Sequence, residues 1–374
     1  MTQSMAQNTA SGCYDFPLSA RGFTRTLGLL VLGVAIVGLW PSEAAGQTGE
    51  SAGVRALGMG GAFTAVADDA TATYWNPAGL ATGATFSLIL ERNRGEAIDP
   101  SGPLVADSRG IRTGSTNFAL AVPSLGLSYY RLRTSGLGPL PFTTGTAGGG
   151  RQDPRSAEVA VSSFAIQQFG VTVLQSLADG LAVGTTIKWL RGEVTSGPVK
   201  NEGSVSSLLE RAGDRDGKVT NRFDIDIGAM AAFGSTRVGF MVRNLKEPDF
   251  RNPVDESTPV ELQRQARLGF AVTPGRPAAA PGGRLTLSAD LDLTRVRTAV
   301  GERRDLAAGV EGWMAGRRVG LRGGVTTNTL ARRDASLSAG ASLGLTRRMF
   351  VDGRITRGRN AGARGWSLGA AMTF

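Results

Sequence analysis

The feature that most constrains this chain is a long series of segments in which apolar residues alternate with small or polar ones. A period of two places successive side chains on opposite faces of a β-strand. Fourteen such segments follow one another from residue 84 to the C-terminus. They predict strands at 84–92, 115–122, 124–133, 156–178, 180–193, 221–233, 236–245, 261–273, 283–293, 304–314, 317–326, 335–345, 348–356 and 365–374. The fold class is therefore expected to be all-β.

The connections between these segments alternate in length. The short ones lie at Pro123, 178–180, 234–236, 274–283, 315–317 and 346–348, and the longest of the others are 93–114, 134–155 and 194–220. Short turns at one end and long loops at the other are typical of outer-membrane barrels, which contain an even number of antiparallel strands. An even number also places both ends of the chain on the side of the short turns.

The residues on the two faces of each segment indicate whether lipid or water surrounds the barrel. In 335–345, Leu337, Leu343 and Leu345 share one face, and serine and glycine fill the other. A soluble barrel or sandwich with its apolar face turned inward gives the same alternation, so any single strand leaves that alternative open. The residues of the polar face, however, are too small and polar to fill a water-soluble core. The whole pattern favours a transmembrane antiparallel β-barrel of about 14 strands.

Residues 1–46 have the pattern of a secretory signal peptide. Arg21 and Arg25 precede the apolar run Leu27–Trp40, and small residues suited to cleavage follow it. The apolar run is too short to cross a bilayer core of about 30 Å as a helix. Export together with the strand pattern predicts a bacterial outer-membrane location. The expected partners are then outer-membrane lipid, lipopolysaccharide and the barrel assembly machinery.

Composition excludes several kinds of function. The chain has no histidine and one cysteine, Cys13, which lies before the apolar run. This excludes His-based triads, His-ligated zinc and a disulfide scaffold, so we expect no enzyme activity, no metal and no cofactor. The formal net charge is +10, but the arginines are scattered and aromatic residues are only 6% of the chain. Nucleic-acid binding, which needs clustered basic and stacking residues, is therefore not expected.

Acidic residues offer few candidates for chemistry. Asp214–Gly217 is spaced loosely like a calcium loop, but Ile225 occupies the position where such a loop needs glutamate. Glu91 with Glu96, and Asp290 with Asp292, are possible carboxylate pairs. Opposite charges on the polar faces of the strands more readily form ion pairs in a lumen. The predicted lumen lining consists of Asp224, Asp226, Arg237, Arg243, Asp290, Asp292, Glu311 and Arg322.

The segment before the first strand, 47–83, is rich in Gly, Ala, Thr and Asp. Gly58, Gly60 and Gly61 allow tight backbone folding, and without a following Lys-Ser/Thr they do not make a phosphate loop. Asp68 and Asp69 could cap a short helix, and Asn76-Pro77 favours a turn. So polar a segment can lie at membrane depth only inside a barrel. It can be a fixed plug or a movable gate, and the sequence shows no hinge.

The run Gly53–Leu80 resembles the N-terminus of the FadL-type outer-membrane transport family, most closely its PorV/PorQ branch. Weaker similarity follows at 181–190, 238–245, 266–270, 309–324 and the last strand. The resemblance implies a signal peptide at 1–46, an N-terminal hatch at 47–83 and a barrel at 84–374. The implied hatch residues are Gly58, Gly60, Gly61, Asp68, Asp69, Asn76, Pro77, Ala78 and Gly79, and the implied assembly signal is Trp366 with the terminal Phe374.

The resemblance also implies a function. FadL-type proteins suggest passive uptake of hydrophobic or amphipathic small molecules through a plugged lumen. The alternative is a PorV-like barrel that supports protein secretion or surface attachment, with secreted proteins as its partners. Composition does not separate the two.

Overall fold

A computed structural model of the chain describes residues 52–99, 109–138, 158–200, 204–213, 217–251, 259–274, 284–298, 301–330, 335–358 and 364–374. The predicted signal peptide at 1–46 and the acidic positions 214–216 lie outside the described residues. Within these ranges the chain consists of three short helical elements at the N-terminal end, a long series of strands and one further helix.

The helical elements are α1 (Val54–Gly58), α2 (Ala72–Trp75), a 3-10 helix (Pro77–Thr82) and α3 (Val205–Gly213). The strands of the barrel are β1 (Ser87–Asp99), β2 (Arg109–Val122), β3 (Leu125–Gly138), β4 (Glu158–Ala178), β5 (Leu181–Lys200), β6 (Lys218–Phe233), β7 (Thr236–Arg243), β10 (Gln265–Val272), β11 (Arg284–Asp292), β14 (Asp305–Met314), β15 (Val319–Asn328), β16 (Ala335–Gly344), β17 (Met349–Gly358) and β18 (Arg364–Thr373). Four short strands, β8 (Asp249–Phe250), β9 (Val260–Glu261), β12 (Val296–Thr298) and β13 (Gly301–Arg303), lie in the connections between barrel strands. No helix among the described residues is long and apolar enough to cross a membrane.

The fourteen long strands form one closed antiparallel barrel. Each strand pairs with its neighbours in the chain, and the barrel closes where β1 pairs with β18, from Ser87 opposite Thr373 to Glu96 opposite Arg364. The prediction of an all-β barrel of about 14 strands is confirmed. Closure leaves no unpaired sheet edge, which a strand in lipid could not tolerate.

The structure differs from the prediction at the long-loop end. β1 continues to Asp99 and β2 begins at Arg109, although 93–114 was expected to be a loop. Likewise, β5 extends to Lys200 and α3 follows in the expected loop 194–220. These strand ends carry polar residues on both faces, so the alternation that marks a half-buried strand disappears while the backbone pairing continues.

The faces of the strands are oriented apolar outward. Leu337 is 68% exposed and Leu343 is 56% exposed on the outer surface, whereas Ser338 and Ser342 of the same strand are buried. In β18, Trp366 and Leu368 are exposed outside and Ser367 is buried inside. A water-soluble barrel requires the opposite orientation, so the structure excludes that alternative.

The interior of the barrel is filled by the N-terminal segment. We call residues 52–82 the hatch. Nearly all of its side chains are buried, including those of Phe63 and Trp75, which are 0% exposed. The hatch thus supplies the apolar core that the small residues of the inner face could not provide.

The outward belt of apolar side chains allows a test of how deep each outward residue lies in the lipid bilayer. Leu268 lies in the middle of the belt on β10, with Phe240 and Leu291 opposite it. If the belt faces lipid, Leu268→Arg should lower the free energy of unfolding in vesicles by about 2–4 kcal/mol. Gln167→Arg, outward on β4 near the long-loop end, should cost roughly 0–1 kcal/mol because it lies near the interface. Equal costs in denaturant titrations would contradict the belt assignment.

Candidate functional site

The hatch begins at a buried carboxylate of the barrel wall. The backbone N–H groups of Gly53 and Val54 donate to the two oxygens of Glu91 at 2.9 and 2.7 Å, so Glu91 on β1 binds the start of α1. Glu96 lies on the opposite face of the same strand and pairs with Arg112 and Arg364 at 3.2 and 3.0 Å. Glu91 and Glu96 therefore do not form the carboxylate pair that was considered from the sequence.

A chain of alternating charges joins the hatch to β14, β15 and β17. Arg55 of α1 donates from Nε and Nη2 to the two oxygens of Glu311, each at 2.6 Å. Glu311 also accepts from Arg322 Nε at 2.8 Å, and Arg322 in turn pairs with Asp352 at 3.2 Å. Arg322 and Glu311 are almost completely buried, so each charge depends on its partners. Ser342 bonds to both Arg322 and Asp352 within the same network.

The other side of Arg55 contacts the two hatch aspartates. Its Nη1 pairs with Asp68 and lies 3.2 Å from Asp69. Burial raises the pKa of Asp68, but Arg55 and then Arg237 outweigh burial and hold that pKa below its ordinary value. Contrary to the prediction, neither aspartate caps α2. Asp68 binds arginines. Asp69 instead accepts from the backbone N–H of Thr71 at 2.9 Å, which closes a local turn.

Further along the hatch, Asp290 of β11 binds backbone. Its Oδ2 accepts from the N–H groups of Phe63 and Thr64 at 2.9 and 2.8 Å. Asp292, two residues on, accepts instead from Arg267 Nε at 2.6 Å. Both aspartates face the lumen, but they serve different partners and do not form an acid–base pair.

Asn76 holds two parts of the hatch and the wall together. Its amide Nδ2 donates to the carbonyls of Thr64 at 2.8 Å and Ala229 at 3.1 Å, while its Oδ1 accepts from the N–H of Ala78 at 3.1 Å. Pro77 then starts the 3-10 helix, which also contains Ala78 and Gly79. The Asn-Pro-Ala element is thus a buried structural tie in this chain.

The remaining predicted lumen residues lie on β6 and β7. Asp224 and Asp226 pair with the buried Lys188 of β5, at 2.8 and 2.6 Å. Arg237 donates to the carbonyl of Val66 at 3.2 Å, and Arg243 lies over the ring of Tyr74 at 4.0 Å. Lys188 was not singled out from the sequence, although its place on the polar face of β5 was a usable signal.

The wall contacts the hatch backbone through glycines. An ideal Cβ added at Gly324 of β15 would lie 2.1 Å from the carbonyl carbon of Met59. We call the six strand glycines with such contacts the glycine row: Gly184, Gly228, Gly239, Gly269, Gly309 and Gly324. Within the hatch, Gly60 and Gly61 have φ of 69° and 83°, which favours glycine, and Gly58 lies against Arg322. The glycine row gives no periodic signal in the sequence, so only the structure identifies it.

One side of the lumen carries an apolar strip between buried polar side chains, and the sequence analysis did not predict this strip. The buried inward side chains of β3, β4 and β5 form what we call the apolar wall, together with a residue of β8: Tyr130, Leu132, Phe164, Ile166, Leu190 and Phe250. It meets the hatch where Tyr74 and Tyr130 lie 5.3 Å apart, and it extends to Phe164 and Phe250, 5.1 Å apart. Apolar residues occupy both faces of these strands, so periodicity alone could not assign an inner face.

Trp366 and Phe374 lie outside the lumen. Trp366 is 45% exposed on the outer surface. Phe374, which follows β18, packs edge-on against Phe86 at 5.2 Å and lies under the guanidinium of Arg348 at 4.7 Å. The structure describes these positions, and the role of the two residues as an assembly signal stays a prediction.

Solved structures share this fold. A monoaromatic hydrocarbon channel, CymD, matches with a TM-score of 0.58 and 13% identity over 86% of this chain and 97% of its own. The Pseudomonas putida toluene transporter TodX matches with a TM-score of 0.53 and 10% identity over 87% of this chain and 99% of its own. A Pseudomonas aeruginosa FadL homologue matches with a TM-score of 0.52 and 12% identity over 88% of this chain and 100% of its own. In fold, the chain is therefore a hatch-filled 14-stranded barrel of the FadL type.

Sequence comparison adds the family. The family model described as "F plasmid transfer operon, TraF, protein" matches residues 74–292, more than half of the chain. The chain belongs to this family. No curated protein matches its sequence. The PorV/PorQ branch, expected from the sequence, is not supported by these comparisons.

The glycine row generates a steric test. Gly324→Ala places a methyl group against backbone, which cannot move aside without displacing the hatch. We expect a loss of about 1–3 kcal/mol in unfolding free energy and faster protease cleavage within the hatch. Gly353→Ala on β17 is the control, because its added Cβ meets nothing within 4 Å. Similar behaviour of the two variants would show that the hatch does not pack as described.

The charge network generates a second test. Glu311→Gln leaves Arg55 and Arg322 without their shared carboxylate, and we expect unfolding in denaturant to become easier by about 3–5 kcal/mol. The control is Glu302→Gln. Glu302 forms an exposed pair with Arg297 at 3.5 Å, and such pairs contribute about 0–1 kcal/mol. A loss at Glu311 no larger than at Glu302 would mean that the network does not hold the hatch.

Proposed function

We propose that this chain is a bacterial outer-membrane barrel for the passive uptake of hydrophobic or amphipathic small molecules. The observation that carries the proposal is the apolar wall, an inward-facing strip of side chains in a lumen that elsewhere presents buried ion pairs, including that of Lys188 on β5. An outward apolar belt, a closed barrel and the predicted export signal support the outer-membrane location. No covalent step is part of the proposal.

The apolar wall suits a solute that carries few hydrogen-bonding groups. Phe164, Ile166 and Leu190 offer contact area without a polar group that would hold water. Along the charged strands such a solute would have to displace groups that are already paired with the hatch. Because the side chains of the apolar wall are buried, a solute entering from the long-loop end would have to displace their contacts as far as Tyr130, where it meets Tyr74 of the hatch. Passage then requires the hatch to shift locally beside α2.

Similar proteins support this choice of solute class. CymD is described as a monoaromatic hydrocarbon channel and TodX as a toluene transporter. Their shared fold makes toluene a reasonable probe, while the natural substrate of this chain stays open. The alternative of a PorV-like role in secretion or surface attachment gains no support from the comparisons. The proposal includes contact with lipopolysaccharide and with the barrel assembly machinery because an outer-membrane barrel is surrounded by the one and inserted by the other.

Uptake of radiolabelled toluene tests the proposal. Cells of a bacterial host without its own aromatic-hydrocarbon channel should accumulate toluene faster when they carry this chain than when they carry the empty vector. Ile166→Asn introduces an amide into the apolar wall, and its uptake rate should fall roughly tenfold, because displacing water from that amide costs on the order of 1–2 kcal/mol. Ser162→Asn, on the same face of β4 but exposed, should change the rate little.

The readout needs assembled barrel in every strain, which a gel shift between heated and unheated samples reports. If the assembled wild-type chain accumulates toluene no faster than the vector, the uptake function is wrong. If Ile166→Asn and Ser162→Asn behave alike, the apolar wall is not the route.

A further inference from the structure

The outer surface of the barrel changes character along β3 and β4. Leu125, Leu127 and Tyr129 of β3 face outward, and the two leucines are 40% and 42% exposed. Leu137 lies on the same face of the same strand, since its position differs from that of Tyr129 by an even number in an unbroken register. Yet Leu137 is only 5% exposed. The same outer face is therefore bare near the short-turn end and covered near the long-loop end.

The cover is α3. Leu208, Leu209 and Ala212 of this helix pack on Leu137 and on Val159 and Val161 of β4. An ideal Cβ at Gly110 of β2 would lie 3.0 Å from Val205, so the helix lies tightly on the outer face of the sheet. Apolar side chains exposed to water need such a cover, whereas those in lipid do not. The surface of the hydrocarbon layer therefore crosses β3 and β4 below α3 and above Tyr129 and Phe169.

Arginines occupy the outer face at this boundary. In each of three strands, an outward apolar residue at this boundary is followed two positions later by arginine: Leu90 by Arg92 on β1, Tyr129 by Arg131 on β3, and Trp189 by Arg191 on β5. Arg94 occupies the next outward position of β1. We call Arg92, Arg94, Arg131 and Arg191 the arginine patch; all four are exposed. The residues between them are uncharged, with Thr116 opposite Arg131 and Gln167 opposite Arg191.

The arginine patch has no acidic partner among the described residues. Among the nearby outward carboxylates, Glu96 is already shared by Arg112 and Arg364, and Glu210 of α3 also pairs with Arg112. Glu193 accepts the backbone N–H of Gly217 at 2.8 Å. Directly below the patch lies a row of tilted aromatic rings in contact, with the ring centre of Tyr129 4.7 Å from that of Phe169 and that of Phe169 5.5 Å from that of Trp189. Aromatic rings favour the level of lipid headgroups, and planar guanidinium groups bind phosphate well.

We propose that the arginine patch binds the phosphate groups of lipopolysaccharide in the outer leaflet. The inference rests on the outer-membrane location in the proposed function and goes beyond the uptake activity. Charge complementarity selects an anionic headgroup, and continuity with the apolar belt selects an anion that is attached to acyl chains. A neutral phospholipid would leave the four charges unmatched.

Binding of lipid A to the full mature chain in a neutral detergent tests the proposal. Calorimetric titration compares bisphosphorylated lipid A, dephosphorylated lipid A and inorganic phosphate. In the variant Arg94→Gln/Arg131→Gln/Arg191→Gln, affinity for bisphosphorylated lipid A should fall roughly 100-fold, as expected for three cations at a lipid surface. The control Arg317→Gln/Arg318→Gln/Arg347→Gln removes equal charge from exposed positions at the short turns and should stay within about twofold of wild type.

The outcomes separate cleanly. Dephosphorylated lipid A should bind the wild type as weakly as the intact lipid binds the patch variant. Equal losses in the two triple variants, or no loss in either, would overturn the proposal. Inorganic phosphate that binds as tightly as lipid A would identify a free-anion site instead and would equally overturn it. The variant Arg131→Gln/Arg191→Gln repeats the test if the triple variant does not assemble, and a failure of toluene uptake leaves these results unaffected.

Discussion

The carboxylate of Glu311, held between Arg55 of the hatch and Arg322 of the wall, is the interaction on which the rest of the structure depends. Either guanidinium alone would be a costly buried charge. Glu91 and Asp290 bind neutral groups of the hatch in a similar way, since each accepts hydrogen bonds from two of its backbone N–H groups. A polar segment can thus lie inside a membrane barrel because the wall supplies partners that water would otherwise supply.

The lumen that results is divided. On β6 to β15 the inner face binds the hatch through ion pairs, such as that of Arg55 with Glu311, and through five of the six residues of the glycine row. The sixth, Gly184, lies on β5. On β3 to β5 it presents Leu132, Ile166 and Leu190 instead. The tightly bound side fixes the position of the hatch, and the apolar side has few hydrogen bonds to lose. A shift of the hatch along the apolar wall would break few hydrogen bonds, chiefly the one between Thr73 and Tyr130, which gives the proposed route a physical basis independent of the fold comparisons.

The strands were predictable because lipid on one side and polar groups on the other impose a strict period of two, as in 335–345 and 365–374. The lumen residues Asp290 and Glu311 could be placed on the inner face by the same pattern, but their partners could not, because Arg55 is 256 residues away from Glu311 in the chain. Helix α3 was not predicted, because a single short amphipathic helix within a polar loop does not show the period-two alternation by which the strands were recognised. The apolar wall escaped it because β3 and β4 are apolar on both faces.

The close approach at the glycine row has a consequence for how the protein is made. The hatch precedes β1, yet its backbone touches strands from β5 to β15 at distances that admit no extra methyl group. A segment that fits so tightly cannot be threaded into a finished cylinder. The close contacts therefore indicate that the sheet closes around the hatch. The many contacts between distant parts of the chain also imply slow folding.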